Sequence, residues 1–193
     1  MKTRSSKRTL QMVQMAILTA ILLVMAFTPL GYLKVGPLSI TFLSIPVAIG
    51  AIIAGPKAAI FLGAVFGCTS FFQCFGMDAF GSTLFSISPW KCAVLCILPR
   101  LLVGILPALL YLALKNKNRT AAAAATCFAA PAVNTVFFLG LLMLFYGNEP
   151  YIQGFGATAW KVLIALGIGN AIPEAICCTL IGTAVCVALF RRK

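Results

Sequence analysis

Four polar side chains stand inside long apolar runs of this sequence: Arg100, Asn134, Asn170 and Glu174. Arg100 is set in Cys96-Ile97-Leu98-Pro99-Arg100-Leu101-Leu102-Val103-Gly104, ten residues beyond Trp90, where that run begins. At the α-helical rise this is ~15 Å, about half of a bilayer's hydrocarbon thickness. A guanidinium at that depth costs at least ~2.5–3.5 kcal/mol and does not shed its proton. It must face a cavity, an acidic partner or an anionic ligand. Asn134 lies twelve residues before Tyr146, and Asn170 lies eleven residues after Ala159, so both fall at a depth comparable to Arg100. Glu174 is one turn from Asn170 on the same helical face. Two readings stay open. In one, Arg100 and Glu174 form a structural ion pair and the asparagines are interhelical glue. In the other, the four line a ligand cavity. Arg100 then takes an anionic group, the asparagines take hydroxyls or amides, and Glu174 holds Arg100 in place. Tyr32, Gln73, Trp90, Lys91, Trp160 and Lys161 would complete the site near its mouth, although each tryptophan alone also suits an interfacial belt.

The elements that must hold these residues follow from composition. Of 193 residues, 62% are hydrophobic and only 9% charged, with a mean hydropathy of +1.06. Soluble domains average roughly 25% charged residues, so the chain is a polytopic membrane protein. No stretch is polar enough for a separate soluble domain, and residues 1–193 are expected to form one membrane domain. The fold class is all-α, with six transmembrane helices over about 12–28, 40–54, 58–73, 90–114, 121–146 and 159–190. Pro29, Gly31, Gly36 and Pro37 end the first, and Gly55-Pro56-Lys57 is a tight turn. Pro173 is expected to bend the sixth. The basic start, Met1 to Arg8, mimics a signal peptide, but no convincing cleavage site precedes Pro29, so the first helix is expected to be retained.

Six helices place both termini on one side. That side receives Lys2, Arg4, Lys7, Arg8, Lys57, Lys115, Lys117, Arg119, Arg191, Arg192 and Lys193; the other receives Lys34, Lys91 and Lys161 with the acids Asp78 and Glu149. By the positive-inside rule both termini are cytoplasmic, and loops 29–39, 74–89 and 147–158 face out. The net charge of +12 is therefore a topology signal, and nucleic acid is not an expected partner.

Other chemistry is poorly supplied. The chain has no histidine and three carboxylates, too few for paired acid–base or Ser/His catalysis, so an enzyme is not expected. The eight cysteines mostly fall in apolar runs, where cysteine is a small hydrophobe. With no CxxC and no histidine, no metal site and no cofactor are expected, while a Cys74–Cys92 disulfide near the outer surface is possible. Gly154-Phe155-Gly156-Ala157-Thr158-Ala159 matches a dinucleotide fingerprint but follows no strand, and Asn118-Arg119-Thr120 matches a glycosylation acceptor but lies in a cytoplasmic loop. Small residues recur at four-residue spacing: Ala59, Gly63 and Gly67 on the third helix suit internal packing, and Ala16 and Ala20 on the first suit docking to another membrane subunit.

These features resemble the substrate-binding S-components of bacterial energy-coupling factor (ECF) vitamin transporters, over nearly the whole chain. Ala16-x-x-x-Ala20 resembles the family's contact with the transmembrane T subunit. The stretch Leu38-Ser39-Ile40-Thr41-Phe42-Leu43-Ser44-Ile45-Pro46-Val47 with Gly50, then Gly55-Pro56-Lys57, Gly63, Phe66-Gly67 and Pro99-Arg100-Leu101-Leu102-x-Gly104, is similar to the pantothenate-type branch. The resemblance implies an S-component bundle in the bacterial cytoplasmic membrane, working with a T subunit and two ATP-binding subunits. It implies that Arg100 binds the pantothenate carboxylate, that Asn134 and Asn170 bind its hydroxyl and amide groups, and that loop Pro29–Ser39 is a lid. A riboflavin, folate or pyridoxine type of cargo, and a non-transport membrane protein with an Arg100–Glu174 core pair, are the alternatives.

Overall fold

The computed structural model describes residues 4–29, 31–35, 38–153 and 159–191, with the side chains of 4–8, 33–35, 38–39 and 159–166 outside that description. In chain order the elements are α1 (Arg4–Ala26), β1 (Tyr32–Val35), β2 (Leu38–Thr41), α2 (Ser44–Ile53), α3 (Pro56–Gln73), α4 (Ala79–Ile87), α5 (Pro89–Leu114), α6 (Arg119–Tyr146), α7 (Pro150–Gln153) and α8 (Ala159–Arg191). The six expected helices are α1, α2, α3, α5, α6 and α8. Among the described residues four helices are long and apolar enough to cross a membrane: Thr9–Ala26, Pro89–Leu114, Arg119–Tyr146 and Gly167–Arg191.

Four elements, β1, β2, α4 and α7, were not anticipated. The loop expected over 29–39 folds as an antiparallel hairpin with Tyr32 opposite Thr41, and β2 takes Ile40 and Thr41 from the start of the expected second helix. That helix shortens to ten residues. The loop after α3 contains α4, whose N-cap is Asp78: its Oδ2 accepts from Gly81 N at 2.8 Å. A third short helix, α7, follows α6. Asn118, the glycosylation lookalike, is the N-cap of α6, its Oδ1 accepting from Thr120 N and Ala121 N at 3.0 and 3.2 Å.

α2 is the hub of the packing, with Ser44 to Ile52 all buried. α1 lies against it through Leu18, Leu22 and Ala26, one residue per turn, and leaves most of its described apolar surface exposed. α3 and α5 pack closely because both give up side chains. A Cβ on Gly63 would stand 2.6 Å from the Arg100 carbonyl oxygen, and one on Gly104 would stand 2.3 Å from that of Ala59. The small stripe on α3 is thus an internal interface, where backbone approach replaces the hydrophobic drive that lipid removes. On the far side of α5, Tyr146 Oη donates to the Leu84 and Ser88 carbonyls at 3.1 and 3.0 Å, tying α6 to α4. Gly55, at φ 93°, turns the chain from α2 into Pro56 at the start of α3.

Candidate functional site

A cavity of about 450 Å³ opens between these elements, within the usual range for small-molecule sites. The end of α1 and the hairpin supply Thr28, Tyr32 and Thr41; α3 supplies Ser70 and Gln73; α5 supplies Cys92, Cys96 and Arg100; α6 supplies Asn134 and Phe138; α8 supplies Asn170 and Glu174. Arg100, Asn134, Asn170 and Glu174 come from three helices and all are buried. The sequence set Arg100, Asn134, Asn170, Glu174, Gln73 and Tyr32 therefore meets around one space.

Arg100 is positioned by the residue before it. Pro99 has no N–H, so the Leu95 carbonyl, four residues earlier, loses its helical donor. Arg100 Nη1 donates to that carbonyl at 3.2 Å. The guanidinium lies between two aromatic faces, 5.4 Å from the Phe66 ring centre and 4.9 Å from that of Phe138. These contacts fix its plane without neutralising its charge. Its Nε, buried, has no hydrogen-bond partner among the described residues, and the same holds for Asn134 Oδ1 and Thr28 Oγ1. A buried donor and buried acceptors left open in one cavity are groups that a polar ligand can satisfy.

Glu174 does not hold Arg100. No ion pair joins them; the carboxylate instead accepts from Ser44 Oγ at 2.9 Å, and both groups are buried. The structural Arg100–Glu174 pair is thus replaced by two separately anchored side chains lining the same cavity. Ser44 belongs to α2, and this makes the hub helix part of the site. Tyr32 Oη lies 3.2 Å from Ser70 Oγ, and burial raises the phenol above its usual pKa, so it stays a neutral hydroxyl. Gln73 Nε2 donates to the Ala26 carbonyl, fastening α3 to the end of α1.

Trp90 and Lys91 do not line the cavity. Trp90 is 62% exposed, with its ring 5.9 Å from that of Phe145. Lys91 Nζ donates to the Phe145 carbonyl at 3.3 Å and stands 4.0 Å from Glu149 Oε1. Cys92, which does line the cavity, follows them directly, but at ~100° of rotation per residue Trp90 and Lys91 point to other sides of α5, so they tie α5 to the end of α6 instead. The side chains of Trp160 and Lys161, and the Gly154 segment, lie outside the described residues. Ala16 and Ala20 are exposed on α1.

Two groups escaped the sequence reading. Thr41, Ser44 and Ser70 are ordinary polar residues whose role depends on which way their elements face; Ser44, early in a nearly all-apolar helix, was the available signal. The other group is a thiol cluster. Cys74, Cys92 and Cys96 line one wall of the cavity, their Sγ atoms all within 4.8 Å of one another, and every described cysteine is a free thiol. No Cys74–Cys92 disulfide is present. The i, i+4 spacing of Cys92 and Cys96 was legible, but Cys74 reaches them only through the α3–α5 packing.

Comparison with known proteins identifies the family. The family model of the ECF transporter substrate-specific component matches residues 10–186. A relative, the pantothenic acid transporter PanT of Lactococcus lactis subsp. cremoris (strain MG1363), is 32% identical over 194 aligned positions, covering 93% of each chain. The family match includes every residue that lines the cavity, from Ala26 to Glu174, and this multi-pass protein of the cell membrane belongs to the substrate-specific components of the ECF transporters.

Proposed function

We propose that the cavity binds pantothenate and that the chain delivers it to an ECF complex of a T subunit and two ATP-binding subunits. The observation that carries this reading is the open Nε of Arg100 beside the open Oδ1 of Asn134 in one buried space. Pantothenate presents a carboxylate, an amide and hydroxyls. Arg100 takes the carboxylate, Asn134 accepts from a hydroxyl or the amide N–H, and Asn170 completes the polar set. Leu95, Leu139 and Phe138 of the lining suit the vitamin's branched apolar centre. Glu174, held by Ser44, meets the hydroxyls. The relative's printed substrate supports this choice of vitamin.

The chain acts in this reading as one domain with six membrane crossings and both termini cytoplasmic. α2 spans only ~15 Å by itself, so β2 and the turn before it complete the second crossing. The hairpin, with Tyr32 and Thr41 at its open end, is the lid on the outer side. Ala16 and Ala20, exposed on α1, are the contact for the T subunit. ATP hydrolysis belongs to the partner subunits, and no catalytic step is assigned to this chain.

Calorimetric titration of the purified protein tests the reading. Wild type is expected to bind pantothenate, and Arg100→Ala is expected to lose about 100-fold in affinity, because truncating one member of a buried charge contact costs ~2–5 kcal/mol. Wild-type affinity in the variant would remove Arg100 from the site. Absence of pantothenate binding alongside a co-purifying riboflavin, folate or pyridoxine compound, identified by mass spectrometry, would reassign the vitamin.

A further inference from the structure

We propose that Cys74, Cys92 and Cys96 form a binding site for a thiophilic divalent d10 metal ion, zinc(II) being the cellular case, with one coordination position turned toward the cavity. Cys92 and Cys96 occupy successive turns of one face of α5, and Cys74 is the C-cap of α3. All three are buried, at 0, 6 and 5% exposure. Their Sγ atoms lie within 4.8 Å of one another, with Cys74 and Cys96 3.6 Å apart. Thiolates bound to zinc at ~2.3 Å in a tetrahedron are separated by ~3.8 Å. The sulfur separations in the structure lie within ~1 Å of that spacing.

A small hydrophobe would fill this wall as well as a thiol, so burial alone does not explain three sulfurs. The thiols find only long, weak partners: Cys74 reaches Ser70 O at 3.4 Å and Cys96 Sγ at 3.6 Å, and Cys92 reaches Gly81 O at 3.9 Å. Charge supplies the second observation. A divalent ion and three thiolates carry a net charge of minus one, and Arg100, one turn along α5 from Cys96, lines the same cavity with the opposite sign. Binding is a ligand exchange without redox change. Each S–H bond breaks as its metal–sulfur bond forms, and the three protons leave to water. The chain has no histidine, and the carboxylate of Asp78, in the same lining, already accepts from Gly81 N. The fourth position is left to water or to an oxygen of the cargo.

The test uses the full-length protein in detergent, reduced with a phosphine and stripped with chelator. Cadmium(II) is the probe, since its thiolate charge-transfer absorption scales with the number of bound sulfurs. Wild type is expected to bind one cadmium(II) per chain with a three-thiolate band that zinc(II) displaces. Ser replacement at 74, 92 or 96 is expected to remove about a third of the band and weaken binding ~10-fold or more. A variant in which the other five cysteines are replaced by Ser is expected to keep both. No three-thiolate band in wild type, or a full band in Cys96→Ser, would overturn the site. If the single replacements unfold, as read by gel filtration, the five-replacement variant decides: a lost band there overturns the site.

Discussion

Arg100 Nη1 donates to the Leu95 carbonyl at 3.2 Å, the acceptor that Pro99 leaves without its helical N–H. The proline both opens the helix and supplies the hook that aims the cation. Pro99→Ala returns a backbone donor to Leu95 and releases Nη1 from its anchor. The expected result is a more stable helix and pantothenate binding weaker by about tenfold, one hydrogen bond to a charged group being worth ~1.5–3 kcal/mol. Calorimetry beside a detergent melting curve measures both. Unchanged affinity would mean that the Phe66 and Phe138 faces alone position the guanidinium.

Ser44 and Glu174 form the second anchored unit. Ser44→Ala removes the hydroxyl that donates to the carboxylate at 2.9 Å. A buried acceptor short of a donor costs ~1–3 kcal/mol, which for a chain of this size lowers the melting temperature by roughly 2–12 °C. Glu174→Gln keeps an acceptor oxygen for Ser44 and is expected to melt close to wild type. Equal losses in the two variants would show that the charge itself, rather than the hydrogen bond, sustains the packing.

The α3–α5 interface predicts a contrast among glycines. A Cβ on Gly104 meets the Ala59 carbonyl at 2.3 Å, whereas one on Gly140 meets nothing within 4 Å. Gly104→Ala is expected to destabilise by at least ~1–3 kcal/mol through forced separation of the helices. It should also weaken vitamin binding, since Gly63 touches the Arg100 backbone across the same interface. Gly140→Ala is expected to be neutral or slightly stabilising, as Ala is the better helix former. Thermal melts of the two variants decide.

Docking and cargo binding are expected to separate cleanly. Ala16→Trp and Ala20→Trp place bulk on an exposed face of α1, away from the cavity lining. Close helix approach in lipid depends on small residues. Pantothenate affinity of the isolated chain should stay unchanged, while uptake into vesicles carrying the T subunit and ATPases falls ~10-fold or more, an inference from the loss of close packing. Normal uptake would move the docking surface elsewhere.

The membrane character, the six main helices and the anomaly of Arg100, Asn134, Asn170 and Glu174 in apolar runs were legible in the sequence. Each is a local property. Hydropathy, helix breakers and residue counting report on one segment at a time, and a charge in an apolar run is anomalous wherever its neighbours lie. The small-residue spacing on α3 was legible for the same reason. Tertiary structure decided the partners. It gave Glu174 to Ser44 instead of Arg100, because α2 passes closer to α8 than the sequence could say. It turned Trp90 and Lys91 toward the end of α6, because they point around α5 away from Cys92, the lining residue that follows them. It brought Cys74 to Cys92 and Cys96 only once Gly63 and Gly104 let α3 and α5 meet backbone to backbone. The sequence determines which groups are expensive to bury, whereas the packing of distant helices chooses the group that satisfies each.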